Sequence, residues 1–196
     1  FKTITGNQQE IDLCLDYVKS KALSFGAYAD IHRFNDASPV IMAANTLSKK
    51  FDVLILGHID VVPAVDEMFT PIIKDGKMFG RGTLDMKSFV AVALNSLQYV
   101  LENKLNIKFG FIFSTDEETG SKSTKAFLEK FPDLSAKIVL DNDVGGDICK
   151  IITRCKNPVF VKIKSKGLAS HGSTPWDGID ANENLFKVWQ NIRNPE

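Results

Sequence analysis

The sequence predicts an α/β fold, a three-layer sandwich with a mostly parallel central sheet, followed by the start of a second, α+β unit. Three observations carry this. Short apolar runs rich in β formers alternate with longer segments of helical period. The runs have the length of strands buried on both faces. After Gly145-Gly146 the texture changes to strands that alternate polar and apolar residues. The chain has 196 residues, which suits one large domain or one domain plus part of a second.

The elements follow in order. Asn7 to Glu10 reads as an N-cap with Glu at N3, after which Ile11, Cys14, Leu15, Val18 and Ala22 recur at helical spacing and Gly26 closes the helix. Strands are expected at 29–34 and 40–44, and a buried one at 51–56. Asp75-Gly76 between short apolar pairs marks a hairpin. A helix is expected over 88–103, with Val90, Ala93, Leu94 and Leu97 on one face. A buried strand at 107–113, a helix at 121–131 closed by Pro132, and a third buried strand at 138–140 complete the first unit. Beyond it, strands are expected at 148–153 and 159–165, a loop at 167–177 and a helix at 180–192. The domain boundary falls near residue 155, giving 1–155 and 156–196.

Composition excludes several classes. With 24 Lys+Arg against 24 Asp+Glu the net charge is zero, so no nucleic-acid partner is expected. Apolar and charged fractions are ordinary for a globular chain. No apolar run approaches the roughly 20 residues that span a bilayer, so no membrane partner is expected. Cys14, Cys149 and Cys155 form no C-x-x-C pair. Inert thiols in a reducing, cytoplasmic setting are the expectation. No signal peptide is recognised, and Phe1 is not a start Met, so residues upstream are expected to be missing.

The chemistry lies just after the buried strands. The run 51–56 is followed by Gly57-His58-Ile59-Asp60, the run 107–113 by Asp116-Glu117-Glu118, and the run 138–140 by Asp141-Asn142-Asp143. The hairpin leads into Asp85, just before a helix. Ligands of open α/β sheets bind outside the carboxyl ends of strands, so these segments would bring one imidazole and several carboxylates to one edge. Carboxylates gathered in one place repel unless protonated or bound to a cation. One His with carboxylates suits Zn²⁺, or Mn²⁺ or Co²⁺ in its place, and a bridging carboxylate would make a two-metal site.

Four segments resemble the motifs of one family, the di-zinc amidohydrolases and peptidases that include acetylornithine deacetylase, succinyl-diaminopimelate desuccinylase, carboxypeptidase G, aminoacylase and the carnosinase-type dipeptidases. They are Gly57-His58-Ile59-Asp60-Val61-Val62-Pro63, Gly80-Arg81-Gly82-Thr83-Leu84-Asp85-Met86-Lys87, Ser114 to Gly120, and Gly167 to Pro175. The resemblance implies a hydrolase, acting as a metallopeptidase or deacylase on a small-molecule or dipeptide substrate. It implies His58 as ligand of the first metal with Asp60 orienting its ring, Asp85 as the bridge, Glu117 as general base and Glu118 as ligand of the second metal. Asp141 is the expected final ligand of the first metal, with Asp143 as the competing choice. His171 is the expected substrate-binding histidine of a lid domain, through which the complete protein would form a homodimer. His32 has no such context. The peptide after Asp85 is expected to be cis.

One departure stands out. The family's second metal takes a His from a later segment, and no His follows His171. The chain is therefore expected to be part of a longer protein, inactive by itself. The competing hypotheses are a non-catalytic binding protein on the same fold, and a Mg²⁺-dependent phosphoryl-transfer enzyme, against which the lack of a phosphate cradle counts.

Overall fold

A computed structural model describes residues 1–141, 143, 153–154 and 160–193. The chain divides into two units, Phe1–Cys149 and Lys150–Glu196.

The first unit opens with α1 (Gln8–Ser24). Its start lies where the sequence puts it, but the reciprocal cap is not made. The Asn7 amide instead donates to the Lys2 carbonyl at 3.3 Å, and the Glu10 carboxylate accepts the Lys2 N–H at 2.8 Å. The N-terminal segment wins these side chains from the helix end. At the other end Gly26 takes φ +83°, a left-handed value that glycine adopts without cost.

Then come β1 (Tyr28–His32), β2 (Val40–Ala44), β3 (Lys50–His58), the hairpin β4 (Ile72–Lys74) and β5 (Lys77–Phe79), α2 (Lys87–Glu102), β6 (Phe109–Ser114), α3 (Lys122–Lys130) and β7 (Ser135–Asp141). Asp75 and Gly76 both take positive φ, the geometry of a two-residue hairpin turn.

The main sheet runs β1-β2-β6-β3-β7. β6, β3 and β7 pair parallel, and β2 is antiparallel to both of its neighbours. The sheet is thus mixed and mostly parallel, with helices on both faces. Strand alternation sorts the side chains. Phe109, Phe111 and Phe113 of β6 join Ile41, Ala43 and Ile55 against α1 and α2. Ile112, Val40, Ala44 and Leu54 meet Phe127 of α3 on the other face. Gly110 keeps β2 close, since a Cβ there would lie 3.0 Å from the Ala43 carbonyl oxygen.

β7 departs from expectation. Ile138, Val139 and Leu140 are 53%, 52% and 47% exposed, although their run reads as buried. Among the described residues β7 pairs with β3 alone, and its apolar side chains are left exposed.

In the second unit Leu168 and Ile179 form an antiparallel bridge, and α4 (Ala181–Arg193) follows Asp180, whose carboxylate accepts the Asn182 N–H at 2.7 Å. The strand expected at 159–165 is not formed over the described residues 160–165, which have no ladder partner among the described residues. The strand expected at 148–153 lies almost wholly outside the described residues. No described helix is long and apolar enough to cross a membrane.

Phe111 and Phe113 are fully buried and stacked at 4.9 Å between centroids. Phe111→Ala is expected to lower unfolding free energy by about 3–5 kcal/mol, read from urea titration of the two proteins side by side.

Candidate metal centre

β3 and β6 run parallel with His58 opposite Ser114, so both strands deliver their carboxyl ends to the same place. The segment before α2 is pressed onto that end. Gly57 makes room for it: a Cβ there would lie 2.7 Å from Met86 Cε. Met86 is 1% exposed, and its sulfur accepts the His58 N–H at 3.4 Å. This contact sets Asp85 beside the imidazole, with Oδ1 3.0 Å from His58 Nε2. The Asp85–Met86 peptide is trans, not cis as the resemblance implies.

His58 and Asp60 are buried at 1% and 0% exposure. His58 Nδ1 lies 2.9 Å from the Asp60 carbonyl oxygen and 3.4 Å from Asp60 Oδ1. The Asp60 carboxylate also accepts the Glu117 N–H on Oδ1 at 3.1 Å and the Glu118 N–H on Oδ2 at 3.2 Å. Thr5 Oγ1 donates to Oδ2 at 2.8 Å. Glu117 and Glu118 sit on a 3-10 turn, Glu117–Thr119, closed by Gly120 at φ +108°. Asp116 ties that turn to α3, because its buried carboxylate accepts both the N–H and the hydroxyl of Ser123.

The electrostatics show a site short of positive charge. Burial raises the Glu117 pKa, with Asp143, Glu118 and Asp60 adding to the rise against His58. Burial and then Asp85 raise both Glu118 and Asp143. Burial also pushes Asp60 up, but its hydrogen bonds from His58, Thr5 and Glu117, with the His58 charge, hold it below its ordinary value. Burial opposes charging of His58, yet the hydrogen bonds and charge of Asp60, helped by Glu117, lift its pKa from 6.5 to about 9.

His58 Nε2 is buried and makes no well-aligned hydrogen bond among the described residues. Around it lie Asp85 at 3.0 Å, Asp143 at 3.7 Å and Glu117 at 3.8 Å. Two triads have potential ligand atoms within 4.8 Å of one another: His58, Asp85 and Glu118, and His58, Glu117 and Asp143. A buried imidazole nitrogen facing several carboxylates fits a divalent cation, and the donor set of one imidazole with carboxylates suits Zn²⁺ or Mn²⁺.

The structure brings His58, Asp60, Asp85, Glu117 and Glu118 together at one edge of the sheet. Asp143, the competing choice, has Oδ2 3.7 Å from His58 Nε2. Asp141 ends β7 opposite Leu56, and its carboxylate accepts the Asp143 N–H at 3.0 Å. Both aspartates line a cleft of about 180 Å³ with His58 and Glu117. His171 lies in the second unit, exposed, where its Nδ1 accepts the Ser173 N–H at 3.2 Å. His32 packs edge-on against Phe127 and Phe131. Cys14 is buried in the core, and burial pushes its thiol up, which keeps it inert. Cys149 and Cys155 fall outside the described residues. Sequence reasoning missed Thr5, because its partner lies 55 positions away and no local pattern announces the bond.

The family model described as peptidase family M20/M25/M40 matches residues 54–164, more than half of the chain. The chain belongs to that family. An uncharacterized metallohydrolase of Methanocaldococcus jannaschii is 28% identical over 91% of this chain and 50% of its own length. An acetylornithine deacetylase of Pectobacterium carotovorum subsp. carotovorum is 31% identical over 75% of this chain and 39% of its own. The solved M20 family metallo-carboxypeptidase of Sulfolobus solfataricus superposes with a TM-score of 0.60 at 25% identity, over 71% of this chain and 34% of its own. The chain thus spans about half or less of these relatives' lengths. Membership of a metallopeptidase family implies a divalent metal, usually zinc, and the residues at the edge of this sheet fit one.

A pH dependence follows from His58. Its folded-state pKa of about 9 lies above the ordinary 6.5, so the stability it contributes is complete below about 6.5 and is lost as pH rises through about 9. In the presence of a chelator, the unfolding temperature should fall more steeply across that range for the native protein than for His58→Gln. Parallel curves would show that the ring is not charged there.

Proposed function

We propose that the complete protein is a zinc-dependent amidohydrolase or exopeptidase that cleaves the amide bond of a small N-acyl amino acid or short peptide. The observation that carries this reading is the buried His58 Nε2 with the carboxylates of Asp85, Asp143 and Glu117 within 3.8 Å of it. Family membership supports the same chemistry. Two zinc ions are proposed, with Co²⁺ or Mn²⁺ able to substitute. His58, Asp85, Glu118 and one of Asp143 and Asp141 would hold them, and Asp143 is preferred here for its distance of 3.7 Å from the ring.

When bound, the ions would supply Lewis acidity that acidifies water and polarises the amide carbonyl. Asp60 holds the Nδ1 side of the His58 ring, which leaves Nε2 free to ligate. Glu117 is proposed to take the proton from the attacking water and deliver it to the departing nitrogen. His171 is proposed to bind the substrate carbonyl oxygen as charge develops on it. The second unit is proposed as the start of a lid through which two copies associate, and the location as cytoplasmic.

Single substitutions in the complete protein test the division of labour between the two glutamates. Glu117→Ala should keep its metal and lose about 10²–10⁴-fold in turnover. Glu118→Ala should lose metal as well as activity. Measured zinc content alongside hydrolysis of N-acetyl and N-succinyl amino acids and dipeptides separates the two outcomes. Equal metal loss in both variants would overturn the assignment.

A further inference from the structure

We propose that Thr5 is a positioning residue of the metal centre. Its hydroxyl fixes the rotation of the Asp60 carboxylate, and through that carboxylate the seating of His58, Glu117 and Glu118. The proposal rests on the metal-site reading above and adds a residue to it.

Asp60 has no exposure to water, so its two oxygens depend on protein donors. Oδ1 receives the Glu117 N–H at 3.1 Å and lies 3.4 Å from His58 Nδ1. Oδ2 receives the Glu118 N–H at 3.2 Å and the Thr5 hydroxyl at 2.8 Å. The Thr5 bond is the shortest of these contacts and the only one from outside the metal-site segments. Without it, Oδ2 would keep one long amide bond, and the carboxylate could turn about its bond to Cβ. Such a turn shifts the acceptor for both glutamate amides and the oxygen that faces the imidazole.

Thr5 is itself held independently of its hydroxyl. Ile4 bridges Val61 in parallel register, Thr5 N–H donates to the Val61 carbonyl at 3.2 Å, and Val61 N–H donates to the Thr3 carbonyl at 2.9 Å. Thr3, fully buried, donates its hydroxyl to the Ile59 carbonyl at 2.8 Å. Lys87 Nζ donates to the Phe1 carbonyl at 2.9 Å and to Thr3 Oγ1 at 3.2 Å. The N-terminal strap, residues 1–5, is therefore sewn to the segments that follow β3 and begin α2, and among its described contacts Thr5 is where it touches the carboxylate. Removing only the hydroxyl should leave the strap in place.

The test compares the native complete protein with Thr5→Val, which keeps the shape, and Thr5→Ser, which keeps the hydroxyl. Zinc affinity is measured by competition with a chromophoric chelator. Exchange rates of the Glu117 and Glu118 amides are measured in the metal-free proteins, with the unfolding temperature as a control. Thr5→Val should bind zinc about 10–100-fold more weakly, the usual cost of losing a group that orients a ligand, and its two glutamate amides should exchange faster. Thr5→Ser should restore both to near the native values, and the unfolding temperature should move little. Native affinity and native exchange in Thr5→Val, or a Thr5→Ser no better than Thr5→Val, would overturn the proposal. Should the native protein bind no zinc, the metal reading falls, and amide exchange alone then decides. Faster exchange confined to Thr5→Val upholds the role of Thr5, and equal exchange in all three proteins ends it.

Discussion

A carboxylate with no access to water is costly to bury, and the fold accepts that cost at Asp60. The charge is tolerable because donors from different parts of the chain converge on it: a hydroxyl from the N-terminal strap, two amides from the turn after β6, and the imidazole at the end of β3. Each donor arrives only if its own segment is correctly placed. Desolvation thereby becomes a constraint on geometry, since an Asp60 that lost one donor would be left partly unpaired in a dry setting. The elements that carry chemistry are tied to one another through this side chain more directly than through the hydrophobic core.

The sheet supplies the convergence. In a parallel arrangement the carboxyl ends of neighbouring strands finish at the same edge, and the residues just beyond them share one small volume. Gathering Asp85, Glu117, Glu118 and Asp143 there raises the pKa of the last three, because burial and mutual repulsion both disfavour their charged forms. His58 offsets this only in part, and only when protonated. A protonated ring cannot ligate. The proton on His58 and a metal ion are thus alternatives at one position.

Much of this was legible in the sequence. The buried strands β3 and β6 announce themselves as uninterrupted apolar runs, and the acidic and His segments directly after them stand where turn residues would otherwise be expected. The hairpin at Asp75-Gly76 and the face of α2 follow from local pattern alone. What was not legible depended on neighbours. β7 has the composition of a central strand but has one strand neighbour among the described residues, and its residues alone do not say how many it pairs with. The Asn7–Glu10 cap was overridden by a segment that needed those side chains elsewhere. Asp141 and Asp143 are two residues apart, and alternation alone does not say which faces the imidazole. Both line the cleft beside His58, and the Asp143 amide donates back to the Asp141 carboxylate.

The adjacent glutamates illustrate how a small backbone device separates roles. A 3-10 helix turns through about 120° per residue, so consecutive side chains leave it in different directions. Glu117 falls with His58 and Asp143, and Glu118 with His58 and Asp85. The amides of this turn are paired, which holds its orientation. Asp60 takes one amide on each oxygen, and Asp116 anchors the turn from the other side to the first residues of α3. Two side chains of identical chemistry are thereby given different neighbours by the two buried aspartates that flank their backbone.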